Sequence, residues 1–332
     1  MKAIVFEKYG PPEVIQYKEV ERPVPKDDEV LVKVHASSVN FNNLGFVMGK
    51  PFIVRFWTGL TKPKLRTPGN DIAGRVEAVG GNVKLFKAGD EVYGDIFESG
   101  YGAYSEYVSV PENMIAFKPK NISFEEAATV PEAAKVALQA LRDGGRIQAG
   151  RKVLIYGASG GIGTFAVQIA KAYGAEVTGV CGTKNVDMVR SIGADYVIDY
   201  TKEDFIKNGR QYDLIVATAG YRSIFDYKRA LSPHGVYIAT GGTMKGPKAM
   251  AQIFQSILIG PWISSKKGKK LTNWHARVSR EDLVVLKELI EAGKVKPVID
   301  RRFPLSETAD ALRYYAEGHA RGKVVITMGH NI

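Results

Sequence analysis

Short runs of alternating apolar and polar residues fill the first third of the chain. Met1 to Phe6 predicts a strand, and Val30-Leu31-Val32-Lys33-Val34 follows the acidic turn Lys26-Asp27-Asp28-Glu29. Gly74 to Gly80 alternates between bounding glycines. Gly89-Asp90-Glu91-Val92-Tyr93-Gly94 follows closely, and Ala103 to Val108 predicts another strand. Strands this short, separated by Gly, Pro and Asp, predict a compact, mostly antiparallel, barrel-like domain. The rhythm changes at Ser123-Phe124-Glu125-Glu126, which has the form of a capping box, and a helix follows that is interrupted around Pro131. From Lys152 onward apolar strands alternate with helices. Val153 to Tyr156, Glu176 to Val180, Tyr196 to Ile198, Leu214 to Val216 and Val236 to Ile238 read as strands. Thr164 to Tyr173 and Val186 to Ile192 read as helices that stop at Gly174 and Gly193. This pattern predicts a parallel sheet covered on both faces. An apolar helical stretch over Ala249 to Ile259, a basic loop from Lys266 to Lys270, an amphipathic helix from Glu281 to Ala292 and a strand from Gly322 to Thr327 complete the chain.

Composition narrows the possibilities. The 332 residues, 45% hydrophobic and 24% charged, suit two globular domains. The single cysteine, Cys181, excludes a disulfide framework and a thiolate-rich structural zinc site. The opening residues lack the apolar core of a leader, and no apolar run approaches the ~18 residues of a membrane span. A soluble, cytoplasmic protein is expected. The net charge of +11 admits nucleic acid, anionic membrane or phosphorylated small molecules as partners. RNA binding stands as the alternative of another class. The basic residues are dispersed, however, and no RNA motif or aromatic platform accompanies them. Ala249 to Trp262 with the lysine loop leaves membrane-surface attachment open, a pocket or dimer-face helix being the plainer reading. The five histidines show no ligand spacing, so no metal site is expected.

One loop carries chemistry. Gly157-Ala158-Ser159-Gly160-Gly161-Ile162-Gly163 follows an apolar strand and opens a helix. A pyrophosphate needs close backbone approach, free N–H donors and the positive end of a helix dipole. Ser159, Gly160, Gly161, Ile162 and Gly163 are therefore candidate cofactor residues. The spacing is G-x-x-G-x-x-G, with Ala158 in the first glycine position of the plain dinucleotide fingerprint. An NAD site usually places a carboxylate about 20 residues further on. That region reads Cys181-Gly182-Thr183-Lys184-Asn185, with no acid, a hydroxyl and a lysine. Thr183, Lys184 and Asn185 thus favour NADPH, because Lys184 attracts a 2′-phosphate that an acid would repel.

With these pieces in order the chain resembles the medium-chain dehydrogenase/reductase superfamily, in its zinc-independent, quinone oxidoreductase-like branch. The resemblance runs through Val39-Asn40-Phe41, Pro68 to Gly74, Gly89 to Gly94, Gly102 to Tyr107, the glycine loop, Gly193 to Tyr200 and Gly318 to Val325. It implies an α/β chain in which a doubly wound Rossmann sheet is inserted into a GroES-like β-barrel catalytic domain. The expected divisions are 1–122 and 276–332 for the catalytic domain and 123–275 for the Rossmann domain. It implies that Lys184 and Tyr200, joined by Arg321, hold the 2′-phosphate. Gly241, Gly242 and Thr243, with Ala219 and Gly220 at the preceding strand end, flank the nicotinamide. Asn40 is implied to sit near substrate. Zinc-dependent relatives carry Cys and His where this chain has Asn40 and Asn70.

The implied activity is an NADPH-dependent, metal-free transfer of hydride to a quinone or an α,β-unsaturated carbonyl, by a homodimer. The departures surround the expected site. The family's usual Asp and Tyr or His after Asn40 are here Asn43 and Gly45, and Ala217 replaces an Asp. The helix after Val130-Pro131 opens Glu132-Ala133-Ala134-Lys135. Glu132 and Lys135, three apart, can face each other on one turn, and are catalytic candidates or an exposed ion pair. A diverged member that binds NADPH but acts slowly or on another substrate is the alternative within the class.

Overall fold

A computed structural model describes residues 1–52, 54–219, 222–241, 255–264 and 268–329. The chain divides into two compact units, Met1–Glu132 with Val278–Glu291 and Ile299–Ile332, and Ala133–Arg277 with Ala292–Val298.

In the first unit the strand Glu29–Ser38 is the spine. Its Val30, Val32 and Val34 are fully buried. It pairs antiparallel with Asp71–Val79, Tyr107–Pro111 and Lys323–Thr327. The main sheet runs Ile299–Pro304, Lys323–Thr327, Glu29–Ser38, Asp71–Val79, Glu91–Asp95, Ile115–Phe117, and only its first two strands are parallel. Lys2–Val5 and Gln16–Glu19 form a separate antiparallel pair. One expected strand is displaced: Ala103 to Val108 becomes Tyr107–Pro111. The amides of Ala103 and Tyr104 are drawn instead to Gly69 O and Pro68 O, at 3.0 Å each. This bond pair turns the Tyr104 side chain inward.

The second unit holds a six-stranded, all-parallel sheet ordered Tyr196–Asp199, Glu176–Cys181, Lys152–Tyr156, Tyr212–Ala217, Leu231–Ala239, Lys270–Asn273. In sequence rank this is 3-2-1-4-5-6, the doubly wound order that reverses beside the first strand. Its core joins Leu154, Val180, Ile215, Tyr227 and Tyr237. The helix expected from Thr164 starts at Gly161. The end of the basic loop is the sixth strand, and Lys266 and Lys267 lie outside the described residues. Of the apolar stretch expected over 249–259, residues 249–254 also lie outside them. Gln255–Ile259 is a wide helical turn that leads into Gly260–Ile263. Among the described residues, no helix is long and apolar enough to cross a membrane.

The divisions depart from those expected at residues 122 and 275. The helix Phe124–Ala127 packs on Glu29–Ser38, Asp71–Val79 and Lys323–Thr327, which carries the first unit on to Glu132. The segment 292–298 belongs to the second unit because Gln168 clasps Lys296. Gln168 Nε2 donates to Lys296 O at 2.9 Å and Gln168 Oε1 accepts its N–H at 2.8 Å.

The capping box is present. Glu126 N–H donates to Ser123 Oγ at 3.2 Å, and Ser123 N–H to Glu126 Oε2 at 2.9 Å. Ser123→Ala should lower stability by about 1 kcal/mol, read as a lower urea midpoint with an unchanged slope.

Candidate functional site

The glycine loop of the second unit has the backbone that anion binding needs. Gly157 takes a φ of +86°. A Cβ there would stand 2.8 Å from Thr218 Oγ1 and 2.9 Å from Ala219 Cβ. A Cβ on Gly163 would fall 2.1 Å from Gly157 O, so only glycine lets the helix start this close to the strand. On Gly160 a Cβ would meet nothing nearer than 3.5 Å, which leaves open space on that side. No side chain caps the helix Gly161–Ala172, and its first amides, on Gly161, Ile162 and Gly163, precede the first helical bond, Thr164 N–H to Gly160 O, as the amides of an anion-binding helix start do. Asn185 Nδ2 donates to Ser159 Oγ at 3.1 Å. Its Oδ1 is buried without a hydrogen-bond partner, a vacancy suited to a hydroxyl donor. These residues fit a dinucleotide phosphate.

The structure also brings together the residues expected at the ribose end. Thr183–Asn185 forms a single 3₁₀ turn, and Lys184 is exposed on it. Tyr200 is exposed beside it, its hydroxyl 3.3 Å from where Gly182 would carry a Cβ. One residue was missed. Asp199, on the neighbouring strand, accepts Thr183 Oγ1 at 2.6 Å, so a carboxylate does stand at this corner. It also accepts the Thr201 N–H and hydroxyl at 3.0 and 2.7 Å. These hydrogen bonds, Thr183 first, hold Asp199 below the usual carboxylate range. Asp199 thereby orients the Thr183 hydroxyl and ties it to Thr201. Ala219 lies against Gly157, and a Cβ on Gly241 would stand 2.3 Å from Thr218 O. Thr218, missed in the sequence, ties these pieces by its hydroxyl to Tyr156 O and Gly157 O, at 3.1 Å each. Gly220, Gly242 and Thr243 lie outside the described residues. Arg321 lies in the first unit, exposed, its N–H on Asp300 Oδ2 at 3.1 Å.

The first unit contains a buried network that no single motif announced. Asp71, Asp95, Asn40, Asn43, Asn70 and Lys323 are all buried. Lys323 Nζ donates to Asn40 Oδ1 and lies 3.6 Å from Asp71 Oδ2. Asn40 Nδ2 donates to Asp71 Oδ2 at 2.8 Å and to Asn70 Oδ1 at 3.3 Å. Asn70 Nδ2 donates to Asp95 Oδ1 at 2.9 Å and to Glu132 Oε2 at 2.8 Å. Asn42 Nδ2 reaches Glu132 Oε1 at 2.8 Å. Asp71 Oδ1 accepts the Glu132 N–H at 2.9 Å, a free amide at the start of the helix Pro131–Gln139, where an anion is favoured.

Asn43, where an acid was expected, is a structural link. Its Oδ1 accepts the Asn40 N–H at 2.9 Å and the Tyr104 hydroxyl at 3.0 Å, and its Nδ2 donates to Asn70 Oδ1 at 2.7 Å. An aspartate could not make that last donation and would add a fourth carboxylate. Asn40 has both amide hydrogens and its oxygen engaged, so it bridges the network. Glu132 and Lys135 are not an exposed ion pair. The Glu132 carboxyl turns to Asn42 and Asn70, and Lys135 is buried.

Three carboxyl groups, those of Asp71, Asp95 and Glu132, meet in this network, and the Lys323 ammonium stands beside Asp71. Burial, then Asp95 and Asp71, push Glu132 up to about 8 against the pull of Lys323 and Asn70. Asp71 is raised as well, by burial first and by Asp95, with Lys323 opposing. Removing Lys323 would take from buried Asp71 the ammonium beside it, at a cost of about 3–5 kcal/mol. Glu132 binds its proton more tightly folded than unfolded. Its contribution to stability is full below about 4.5 and is lost as pH rises towards 8. Glu132→Gln should therefore flatten the fall in unfolding free energy over that window, measured by urea titrations across pH. An unchanged slope would place the proton elsewhere.

Comparison with known proteins agrees with this architecture. The family model described as alcohol dehydrogenase GroES-like domain matches residues 26–120, and that described as zinc-binding dehydrogenase matches residues 192–326. The chain is 33% identical to the chloroplast envelope quinone oxidoreductase homolog of Arabidopsis thaliana, over 98% of each chain. It is 34% identical to the NADPH-dependent alkenal/one oxidoreductase of the same plant, over 98% of this chain and 79% of that one. Its fold is similar to that of the quinone oxidoreductase of Coxiella burnetii, with a TM-score of 0.85, 28% identity and 99% of each chain covered. The quinone oxidoreductase of Escherichia coli, solved with NADPH, gives 0.80 at 25% identity, covering 98% of this chain and 100% of that one. The donor set does not suit zinc, because Asn40 and Asn70 are amides bonded to each other and Lys323 already supplies the positive charge. The chain belongs to the medium-chain dehydrogenase/reductase superfamily, in its quinone oxidoreductase-like branch, and is an NAD(P)-dependent oxidoreductase.

Proposed function

We propose that the protein uses NADPH to reduce a quinone or the activated double bond of an enone or enal. The observation that carries this reading is the buried network ending on Glu132. It offers a carboxyl fixed by the amides of Asn42 and Asn70, its proton affinity raised to about 8 by burial and by Asp95 and Asp71. The Arabidopsis and Escherichia coli relatives, named for alkenal/one and quinone reduction with NADPH, support the same chemistry.

The residues proposed to hold the cofactor are Ser159, Gly160, Gly161, Ile162 and Gly163 for the pyrophosphate. Thr183, Lys184, Asn185 and Tyr200 would hold the 2′-phosphate, with Arg321 assisting. Ala219, Gly220, Gly241, Gly242 and Thr243 would lie at the nicotinamide end. When bound, NADPH supplies a hydride. The accompanying proton comes from Glu132, which is left as a carboxylate accepting N–H donors from Asn42 and Asn70 and regains its proton from water. Hydride and proton together saturate the double bond or convert a quinone to its hydroquinone. Asn40 acts as a positioning residue, fixing Asn70 through the bond pair it shares with Asp71. Lys135 donates to the substrate oxygen as negative charge builds there.

A panel of quinones, enals, enones and alcohols, followed by NADPH absorbance, tests the reaction. NADPH should be consumed with a quinone or enone, and no consumption with any of them would overturn the proposal. Lys184→Ala should weaken NADPH binding roughly tenfold, about the worth of one exposed charge-assisted hydrogen bond, while leaving NADH binding unchanged. The wild-type kcat should fall as pH rises past about 8. Glu132→Gln should lower kcat and abolish that alkaline limb.

A further inference from the structure

From Val30 to Asn70 the chain carries no acidic residue, and Lys50, Arg55, Lys62, Lys64 and Arg66 fall within one short stretch of it. The same stretch turns its large apolar side chains outward. Phe52 is 60% exposed, Phe56 63%, Trp57 73% and Leu60 54%. Lys50, Lys62, Lys64 and Arg66 are exposed among them. Soluble chains scatter exposed apolar side chains, and a cluster rimmed by charge marks an interaction surface.

This exposure is built into the fold. The Tyr9 hydroxyl donates to Gly59 O at 2.7 Å and stands 2.8 Å from Thr58 Oγ1. Gly59 N–H returns to Arg55 O, and Lys64 N–H to Thr58 O, at 2.8 Å each. Arg55 Nε donates to Gly49 O at 3.1 Å, and its guanidinium lies 4.7 Å from the Tyr9 ring centre. Gly59 adopts a φ of +120°, and a Cβ there would fall 2.1 Å from Lys62 O. The turn is therefore closed by glycine and pinned from beneath by Tyr9 and Arg55. The helix Val54–Thr58 is held on that side and offers Phe56 and Trp57 on the other.

We propose that residues 50–66 form a docking surface for an anionic phospholipid bilayer. Phe52, Phe56, Trp57 and Leu60 enter the boundary between headgroups and acyl chains, where amphipathic aromatic rings are favoured. Lys50, Lys62, Lys64 and Arg66 meet the lipid phosphates. Charge complementarity selects this occupant. A second copy of the chain would present the same cationic stretch and the same +11. A nucleic acid would engage the lysines but leave Leu60 and Leu65 in water.

The test is flotation of the full chain with phosphatidylcholine vesicles, with and without phosphatidylglycerol. Binding should require phosphatidylglycerol, weaken with salt and shift tryptophan emission to the blue. Phe56→Ser with Trp57→Ser should lower the partition coefficient at least about tenfold. Lys62→Glu with Lys64→Glu should lower it roughly thirtyfold or more, at about a factor of five for each basic residue lost. Trp262→Ser, at another exposed aromatic of the chain, should leave it unchanged. Quenching of tryptophan emission by brominated lipid in the Trp262→Phe background repeats the test with residues 50–66 intact. Equal binding to both vesicle types would overturn the proposal, as would an absence of quenching. Loss of binding on Trp262→Ser would move the surface elsewhere. Full binding by the Phe56/Trp57 variant, with loss only on charge reversal, would reduce the patch to a general polyanion site and equally overturn it.

Discussion

The Lys323 ammonium is the constraint on which the first unit turns. Buried Asp71 and Asp95 converge with half-buried Glu132, in a place where unpaired charge is costly. Lys323, on the strand Lys323–Thr327, sets a cation beside Asp71 and so eases that convergence. Lys323 reaches Asn40 and Asp71 together. The bond pattern then passes through Asn40 and Asn70, whose oxygens accept from the lysine side and whose nitrogens donate to the acids, while Asn43 braces both. Such a line leaves no internal polar atom wasted and fixes where the last carboxyl stands. The closing pair of strands, Lys323–Thr327 on Glu29–Ser38, is thus held by electrostatics at its end as well as by its apolar faces.

The two units were legible in the sequence to different degrees. The doubly wound sheet follows from apolar runs such as Val153 to Tyr156, which have one environment whatever the details. The glycine loop is read as easily, because its requirement is steric and leaves glycine as the only answer at Gly157 and Gly163. Asp199 escaped because it lies on the next strand of the sheet, and linear distance hides that neighbour. The strand shift from Ala103 to Tyr107 escaped for a related reason: the bonds that displaced it come from Pro68 and Gly69. The carboxylate network was the least legible part. Its members lie at positions 40, 42, 43, 70, 71, 95, 132 and 323. The available hint was a charge opening a strand whose next residues are apolar, as at Lys323 and Asp71.

The departures from family pattern form one set. Asn43 in place of an acid is the choice that keeps the network from carrying a fourth carboxylate. Glu132, unusual at its helix start, is the acid whose place that restraint leaves room for. Read separately, each is a loss of an expected group. Read together, they place amides in the segment after Asn40 and a carboxyl at the head of a helix, where Asp71 also receives the Glu132 amide.

Lys323 lies 252 positions after Asp71 in the chain. During synthesis Asp71, Asp95 and Glu132 all leave the ribosome long before their countercharge exists. The first barrel strands can pair early, but their acidic centre has to stay hydrated until the tail arrives. A fragment ending at Glu132 would have the sheet's spine and lack its cation. Completion of this barrel is consequently a late, long-range event, and the intervening sheet, whose contacts are nearer in sequence, is free to assemble before it.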